Sequence, residues 1–390
     1  MHSKLNIIIH RVELLSLHVP LHTPFKTALR EVTHIHDLVV KLYADNGIVG
    51  FGSAPSTPQI TGDDHAAMVS AIESELAPIL IGASLADFDA IIEQVANNEN
   101  AGSNAKAAID IALFDAKARS EKLPLNTFLQ QCLPQVQSNA TLPTKLETDY
   151  TISVNNTPQM LADIDVALAR GYRCLKIKIG KQPQEDLVRI RAIWAHVQHC
   201  QERLAQAIVL RLDVNQGWDE QTSIHILQTL EAEGIEFELI EQPLIASDTQ
   251  GASNIVKAIN TPIMADESAF SLAQVKRLHE QHAANIINIK LVKTGGLFKA
   301  LQIIDYCRTH KIVCMIGCML EGSIGVAAAA HLASAHSDVI QPIDLDGPTL
   351  GQYDPIEGAS IFDNAAITLN KSDGLGIQAT LVLPKWANCS

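Results

Sequence analysis

The sequence predicts an α/β protein whose main body is a closed parallel barrel, preceded by an α+β domain. Three observations carry this reading. From residue 150 onward, short runs rich in Val, Ile and Leu alternate with longer segments of helical periodicity, the rhythm of repeated βα units. Eight such runs and seven helical segments follow one another within about 200 residues, which is what barrel closure needs. Finally, five runs in succession end on charged residues, in the order Lys, Asp, Glu, Asp, Lys. A doubly wound open sheet is the alternative, but it gathers its polar residues at one switch point, and here they are spread over almost every strand end.

Taken in order, 6–14 and 37–44 read as strands, turned at Asp45-Asn-Gly47, where Asn and Gly tolerate the positive φ of a tight hairpin. Between them, 23–31 reads as a polar loop carrying Lys26 and Arg30. Taken alone, Arg30 is a solvated loop charge; the functional alternative is a lid arginine whose planar fork receives a carboxylate. Residues 62–133 turn helical, with Asp63 and Asp64 as caps and an Ala-rich helix over 105–118. Pro124 and Pro134 break the pattern. The division expected is a capping domain over 1–135, a barrel over 136–350, and a segment over 351–390 that returns to the first domain. Barrel strands are expected at 151–154, 174–179, 208–215, 237–242, 263–266, 286–290, 313–317 and 339–346. Helices are expected at 158–169, 186–197, 220–232, 254–259, 272–281, 297–309 and 323–335.

Composition narrows the partners. Twenty-nine Lys and Arg against 43 Asp and Glu give a formal charge of −14, and no basic block interrupts the chain, so nucleic acid and anionic membrane are poor partners. The first residues lack a signal-peptide pattern and no segment is long enough to span a bilayer, so a cytoplasmic protein is expected. The seven cysteines include no Cys-x-x-Cys pair and read as reduced, mostly buried apolar residues.

The charged strand ends carry the chemistry. In a parallel barrel the active site lies at the carboxyl ends of the strands. Asp213, Glu241 and Asp266 close three adjacent strands and offer oxygen ligands from three sides, which suits a small octahedral cation such as Mg²⁺. A cap or salt bridge explains any one of them, but three in succession require three separate partners. Lys176 and Lys178, two apart, share one face of a strand whose other face holds Ile177 and Ile179. Repulsion between the two ammonium groups, plus the cation, is expected to lower their pKa and make a general base. Lys290 closes a strand four units further round, across the mouth from Lys178. Two bases on opposite faces of a carboxylate-bearing carbon suit racemisation or epimerisation. Asp344 and Asp346 share a face at the last strand, either as further ligands or as a receptor for an ammonium group.

Lys176-x-Lys178, Asp213-x-Asn215, Glu241-Gln-Pro243, Asp266-Glu267 and Asn288-Ile-Lys290 resemble, in order and spacing, the muconate lactonizing enzyme branch of the enolase superfamily. The resemblance implies a modified TIM barrel, (β/α)7β, capped by an α+β domain built from both chain ends. It implies Mg²⁺ on Asp213, Glu241 and Asp266, and Lys178 and Lys290 as the acid/base pair. It further implies that Lys176 supports the substrate carboxylate and that Asn215 and Glu267 back the ligands. Within the branch, Pro24 to Arg30, Ile60 to Asp63 and Asp344-x-Asp346 resemble the dipeptide epimerases, those acting on L-Ala-D/L-Glu in particular. That implies a dipeptide substrate with its α-ammonium on Asp344 and Asp346 and its acidic side chain on Arg30, in the recycling of cell-wall peptides. Family members are often homo-oligomers. Cys318 stands where the family usually has a small residue in a loop lining the substrate pocket. A cycloisomerase or o-succinylbenzoate synthase-type lyase uses the same lysines and metal without an ammonium receptor, and a non-catalytic relative needs neither lysine. An acid-sugar dehydratase needs a His at the seventh strand, and 313–318 holds none.

Overall fold

The computed structural model describes residues 6–26, 31–133, 141–180, 182–378 and 382–386. The chain opens with three antiparallel strands in the order β1 (Ile9–Lys26), β2 (Glu31–Ala44) and β3 (Val49–Pro55). The turn between β2 and β3 is made by Asn46 at φ 61° and Gly47 at φ 72°, the left-handed conformations expected of those residues. The expected loop over 23–31 is largely strand instead. Phe25 pairs with Val32 and Lys26 with Glu31, so cross-strand pairing of two good strand formers overrides the polar residues around them. Only 27–30 of that segment, Arg30 included, lies outside the described residues.

Helices then cover the sheet: α1 (His65–Ala71), a π turn at Ile72–Leu76, α2 (Ala77–Leu80), α3 (Phe88–Ala96), α4 (Ser103–Ser120) and α5 (Leu125–Cys132). Asp64 caps α1, accepting from Ala67 N at 2.8 Å. Asp63 does not; it accepts from Asn104 N at 2.8 Å and so holds the start of α4. Small residues let α4 lie directly on β3. A Cβ on Gly52 would stand 2.0 Å from Ala108 O, and one on Gly50 2.2 Å from Ala112 O, so neither position admits a side chain.

After β4 (Lys145–Glu147) the βα alternation begins. In order come β5 (Tyr150–Ile152), α6 (Thr157–Ala169), β6 (Cys174–Lys178), α7 (Pro183–Leu204), β7 (Val209–Asp213), α8 (Glu220–Ala232) and β8 (Leu239–Glu241). The second half runs α9 (Thr249–Ala258), β9 (Ile263–Ala265), α10 (Leu272–Glu280), β10 (Ile286–Ile289), a single turn α11 (Leu291–Thr294), α12 (Leu297–His310), β11 (Val313–Gly317), α13 (Ser323–Ala335), β12 (Ile340–Asp344) and α14 (Gly347–Leu350). Strands β5 to β12 form one sheet in sequence order, and every ladder in it is parallel. The first and last strands meet through single bonds: Asp149 N to Ile343 O at 3.3 Å, Leu345 N to Thr148 Oγ1 at 2.7 Å and Thr151 N to Asp346 Oδ2 at 2.7 Å. The expected barrel is therefore present, with helices between its strands.

Two buried carboxyl groups on α4 fasten the parts together. Asp110 accepts from Leu297 N and Phe298 N at the start of α12, at 2.5 and 3.2 Å. Asp115 accepts from Phe51 N at 2.8 Å and Leu375 N at 2.6 Å and pairs with Arg119 at 3.0 Å. The chain after the barrel adds β13 (Ile361–Asp363) and β14 (Ala366–Thr368), which pair with β4. It then runs back over the first domain, where Leu125 N donates to Gly374 O and Ser16 N to Pro384 O, both at 2.9 Å.

Candidate active site

The barrel interior at the carboxyl ends of the strands holds an unusual density of buried charge. Register places Lys178 of β6 beside Asp213 of β7, and Asp213 beside Glu241 of β8. Asp266 follows directly on β9 and Lys290 on β10. Because β6 and β10 are four strands apart in an eight-stranded sheet, Lys178 and Lys290 enter from opposite sides of the mouth. All five, and Lys176, are buried.

Buried charges of this kind cost several kcal/mol each unless they are paired. Lys178 Nζ donates to Asp213 Oδ2 at 2.5 Å and to Asn215 Oδ1 at 3.2 Å. Lys290 Nζ donates to Asp266 Oδ2 at 2.7 Å and lies 3.9 Å from Glu241 Oε1. Lys176 pairs with Asp344 and lies 3.7 Å from Glu241 Oε2. Lys293, from the turn after β10, pairs with the other oxygen of Asp266 and donates to the carbonyls of Asp266 and Asn288 at 2.8 and 2.9 Å.

These pairings act on the lysines in the opposite sense to a neighbouring ammonium group. Burial pushes the Lys176 ammonium down, but the carboxylates of Asp344, Glu241 and Asp213 outweigh it and hold the group well above the ordinary lysine value. Lys290 is raised in the same way, by Asp266 and Glu241 against burial. The expected lowering rests on the neighbouring ammonium and the cation together; the carboxylates of Asp344 and Asp266 act against it, and a cation held by Asp213, Glu241 and Asp266 would weaken their pull. Among the acids, burial raises Asp266, but Lys290 and Lys293 prevail and hold it far below the usual range. Glu241 is pushed up to about 7 by burial and by Asp213. Glu267 rises to about 8 through burial and the charge of Asp266. Asp346 rises to about 6, again through burial, with Asp344 next.

The donor set fits a hard divalent cation. Three carboxylates close adjacent strands, and Glu241 Oε2 is buried with no hydrogen-bond partner among the described residues. Asn288 Nδ2 holds the other Glu241 oxygen at 2.9 Å, which fixes the direction in which the free one points. Oxygen ligands from three sides are the environment of Mg²⁺ rather than of a soft metal.

The remaining predicted residues fall around this cluster. Asn215, at φ 46°, takes a left-handed conformation that turns its side chain onto Lys178, and its N–H donates to Asp213 Oδ1 at 2.9 Å. Glu267 lines the mouth, and its Oε2 is buried without a hydrogen-bond partner. Asp344 is engaged by Lys176, whereas Asp346 faces the cleft and holds Thr151 N. Cys318 lines the cleft beside Asp344, Asp346 and Glu321, and burial holds its thiol well above the usual range. Phe25, Ile60, Met319, Leu320 and Leu350 supply an apolar rim. Sequence reasoning missed Lys293 and Gln242. Gln242 Oε1 accepts from Asp266 N at 2.9 Å and Ser268 N at 3.2 Å, so it ties the end of β8 to the loop after β9. The available signal was a lysine in an apolar run, Leu291-Val-Lys293, and a polar residue directly after a buried strand.

Fold and site together define a class: a capped parallel-barrel enzyme with two opposed lysines around a carboxylate cluster. Residues 9–129 match the mandelate racemase / muconate lactonizing enzyme N-terminal domain, and 159–380 match the enolase C-terminal domain-like family. The chain therefore belongs to the mandelate racemase / muconate lactonizing enzyme family of the enolase superfamily. It is 41% identical over 372 residues to an L-Ala-D/L-Glu epimerase of Clostridium acetobutylicum, covering 95% of this chain and 99% of the relative. A substrate-liganded structure of the L-Ala-D/L-Glu epimerase of Bacillus subtilis superposes with a TM-score of 0.87 at 37% identity, covering 95% of this chain and 98% of the other. A dipeptide epimerase of Enterococcus faecalis, complexed with Mg and L-Leu-L-Tyr, superposes with a TM-score of 0.85 at 31% identity, covering 95% and 99%.

Proposed function

We propose that this chain is a Mg²⁺-dependent dipeptide epimerase, an isomerase that inverts the α-carbon of the second residue, with L-Ala-D/L-Glu as its substrate pair. The observation that carries the reading is the placement of Lys178 and Lys290 on opposed strands, with Asp213, Glu241 and Asp266 between them. The relatives acting on L-Ala-D/L-Glu support the substrate.

Asp213, Glu241 and Asp266 would hold the cation, which supplies the positive charge that makes a substrate carboxylate a better sink for electrons. With the substrate α-carbon between the two lysines, the neutral one removes the α-proton and the electron pair left behind delocalises into the carboxylate. The opposite lysine, in its ammonium form, delivers a proton to the other face. The configuration inverts, and the two lysines exchange protonation states. Lys176 supports the carboxylate from below, while Asn215 and Glu267 steady the ligand groups. Asp346, facing the cleft, receives the dipeptide's α-ammonium together with Asp344, and Arg30 receives the acidic side chain. Cys318 narrows the cleft beside them.

We assign the capping domain to 1–135, the barrel to 136–350 and the returning segment to 351–390. The physiological setting we propose is cytoplasmic recycling of murein peptides, by a homo-oligomer without nucleic-acid or membrane partners. No described helix is long and apolar enough to cross a membrane.

Proton exchange read by NMR in D₂O with Mg²⁺ tests the substrate, over L-Ala-L-Xaa dipeptides with Glu, Asp, Leu, Phe and Lys as the second residue. Exchange confined to Glu and Asp is expected. Exchange centred on Leu or Phe would overturn the substrate while keeping the lysine pair. No exchange on any dipeptide would return the chain to the cycloisomerase or lyase reading.

A further inference from the structure

Outside the barrel mouth, among the described residues, one group of side chains has the composition and geometry of a metal site. Asp165 on α6 and His196 and Cys200 on α7 bring one donor atom each to a common point. His196 and Cys200 are four apart and so lie on one helix face. Asp165 Oδ1 is 3.0 Å from His196 Nε2 and 3.7 Å from Cys200 Sγ, and Sγ is 3.7 Å from the same Nε2. Metal–ligand bonds of about 2.0–2.3 Å at tetrahedral angles place donors about 3.3–3.6 Å apart, so the triangle needs adjustment by only a few tenths of an ångström.

The arrangement argues against the other use of these three residue types. In a Cys–His–Asp nucleophile the thiol and the carboxylate address different nitrogens of the imidazole, so that a proton passes through the ring. Here both converge on Nε2. The thiol is also held above its ordinary pKa, by burial and by Asp165, the reverse of an activated nucleophile. Three unlike donors meeting at one point make a ligand triangle.

We propose that Asp165, His196 and Cys200 form a Zn²⁺ site joining α6 to α7, separate from the Mg²⁺ site. One sulfur, one imidazole and one carboxylate match the borderline-soft character of Zn²⁺. Asp165 is half exposed and brings the triangle to the surface. Arg203, 3.6 Å from Cys200 Sγ and 3.8 Å from Asp165 Oδ1, stands over it. Its side chain is 58% exposed, and metal binding requires it to swing outward from the triangle. Binding releases the thiol proton to solvent, leaving thiolate, neutral imidazole and carboxylate around the ion. Both helices run antiparallel to the strands, so a site in their later halves lies toward the foot of the barrel, away from the mouth.

Metal-free full-length protein titrated with Co²⁺ tests this. A near-ultraviolet thiolate-to-metal charge-transfer band with intense visible bands reports Co²⁺ on a cysteine, and because Cys318 lies at the mouth, the Cys200→Ser variant assigns the band to the proposed site. The expected result is one equivalent of such Co²⁺ in the parent, displaced by Zn²⁺. The band should be absent in Cys200→Ser. In His196→Ala, Zn²⁺ affinity should fall by more than the ~10–100-fold that loss of a mere supporting contact costs. His196→Ala also serves should Cys200→Ser not fold, with far-ultraviolet circular dichroism as the folding check. No band in the parent, a band of full intensity in Cys200→Ser, or unaltered Zn²⁺ affinity in His196→Ala would overturn the site. Dipeptide turnover with Mg²⁺ should be unchanged in both variants.

Discussion

The barrel mouth and the seam between cap and barrel both bury carboxyl groups, and the acids that meet an ammonium group at the mouth differ from those of the seam. At the mouth, Asp213 and Asp266 each meet a lysine, and Asp266 is held far below the usual range against burial. At the seam, Asp37 of β2 meets Glu321 from the loop after β11. Asp37 accepts from Gly322 N at 2.8 Å and Glu321 from Met319 N at 2.7 Å. Burial, then Glu321, pushes Asp37 up to about 8, and burial pushes Glu321 up to about 7. A buried acid that meets ammonium groups, as Asp266 does, keeps its charge. Without them it becomes a neutral hydrogen-bonding group that fastens two parts of the fold.

The largest effect that would break this comparison lies in the lysines. Lys178→Ala and Lys290→Ala should each lower net epimerisation by at least ~10²–10⁴-fold, the usual worth of a positioned acid or base. Each variant should keep exchange of the α-proton from one substrate epimer only, and the two should keep opposite epimers. Isotope exchange measured separately on L-Ala-L-Glu and L-Ala-D-Glu distinguishes this from general damage, since a misfolded mouth would lose both.

Next comes Glu241→Gln, for which stability and metal binding should move apart. Glu241 stands between two other carboxylates, and one of its oxygens is buried without a hydrogen-bond partner. Above about pH 7, where it ionises, replacing it by a neutral amide should leave the Tm in Mg²⁺-free buffer unchanged or higher. Mg²⁺ affinity by calorimetry should nevertheless fall at least ~10-fold, because a ligand is lost. A lower Tm together with unaltered affinity would mean that Glu241 belongs to the fold rather than to the cation. Lys293→Met should act in the other direction. It strips Asp266 of one of two ammonium partners, and chemical denaturation should show a loss near the lower end of the ~3–5 kcal/mol expected for a broken buried pair.

What the sequence revealed of all this follows from how locally each feature is encoded. Strand ends with Asp213, Glu241, Asp266 and Lys290 are legible because a charge closing a Val/Ile/Leu run contradicts burial on its face. Lys293 is not, since one turn further on a lysine reads as the polar side of a helix. Gln242 is not, because its role depends on a backbone conformation at φ 38° that residue order does not announce. The segment 23–31 read as a loop from Pro24 and its polar residues, and only the β1–β2 ladder shows otherwise. The cysteines read as apolar core, and Cys200 is buried, but its polar neighbours include Asp165, which lies 35 residues earlier on another helix. The pull of Asp344 on Lys176 is not legible for the same reason, since that carboxylate arrives from another strand.

The smallest effect comes from the seam, and it sharpens the comparison most directly. Asp37 has its folded value raised from 3.8 to about 8, so the native state holds a proton there that the unfolded chain has lost over that interval. Stability from this group is fully present below the unfolded value and declines as pH rises through the window up to about 8. Asp37→Asn keeps an oxygen to accept from Gly322 N and removes the titration. The variant should match the parent's Tm below pH 3.8, where Asp37 of the parent is protonated in the folded and the unfolded state alike. It should then fall less steeply than the parent as pH rises toward 8. A variant curve parallel to the parent's would mean that Asp37 is ionised in the native protein, and that the seam, like the mouth, stores charge.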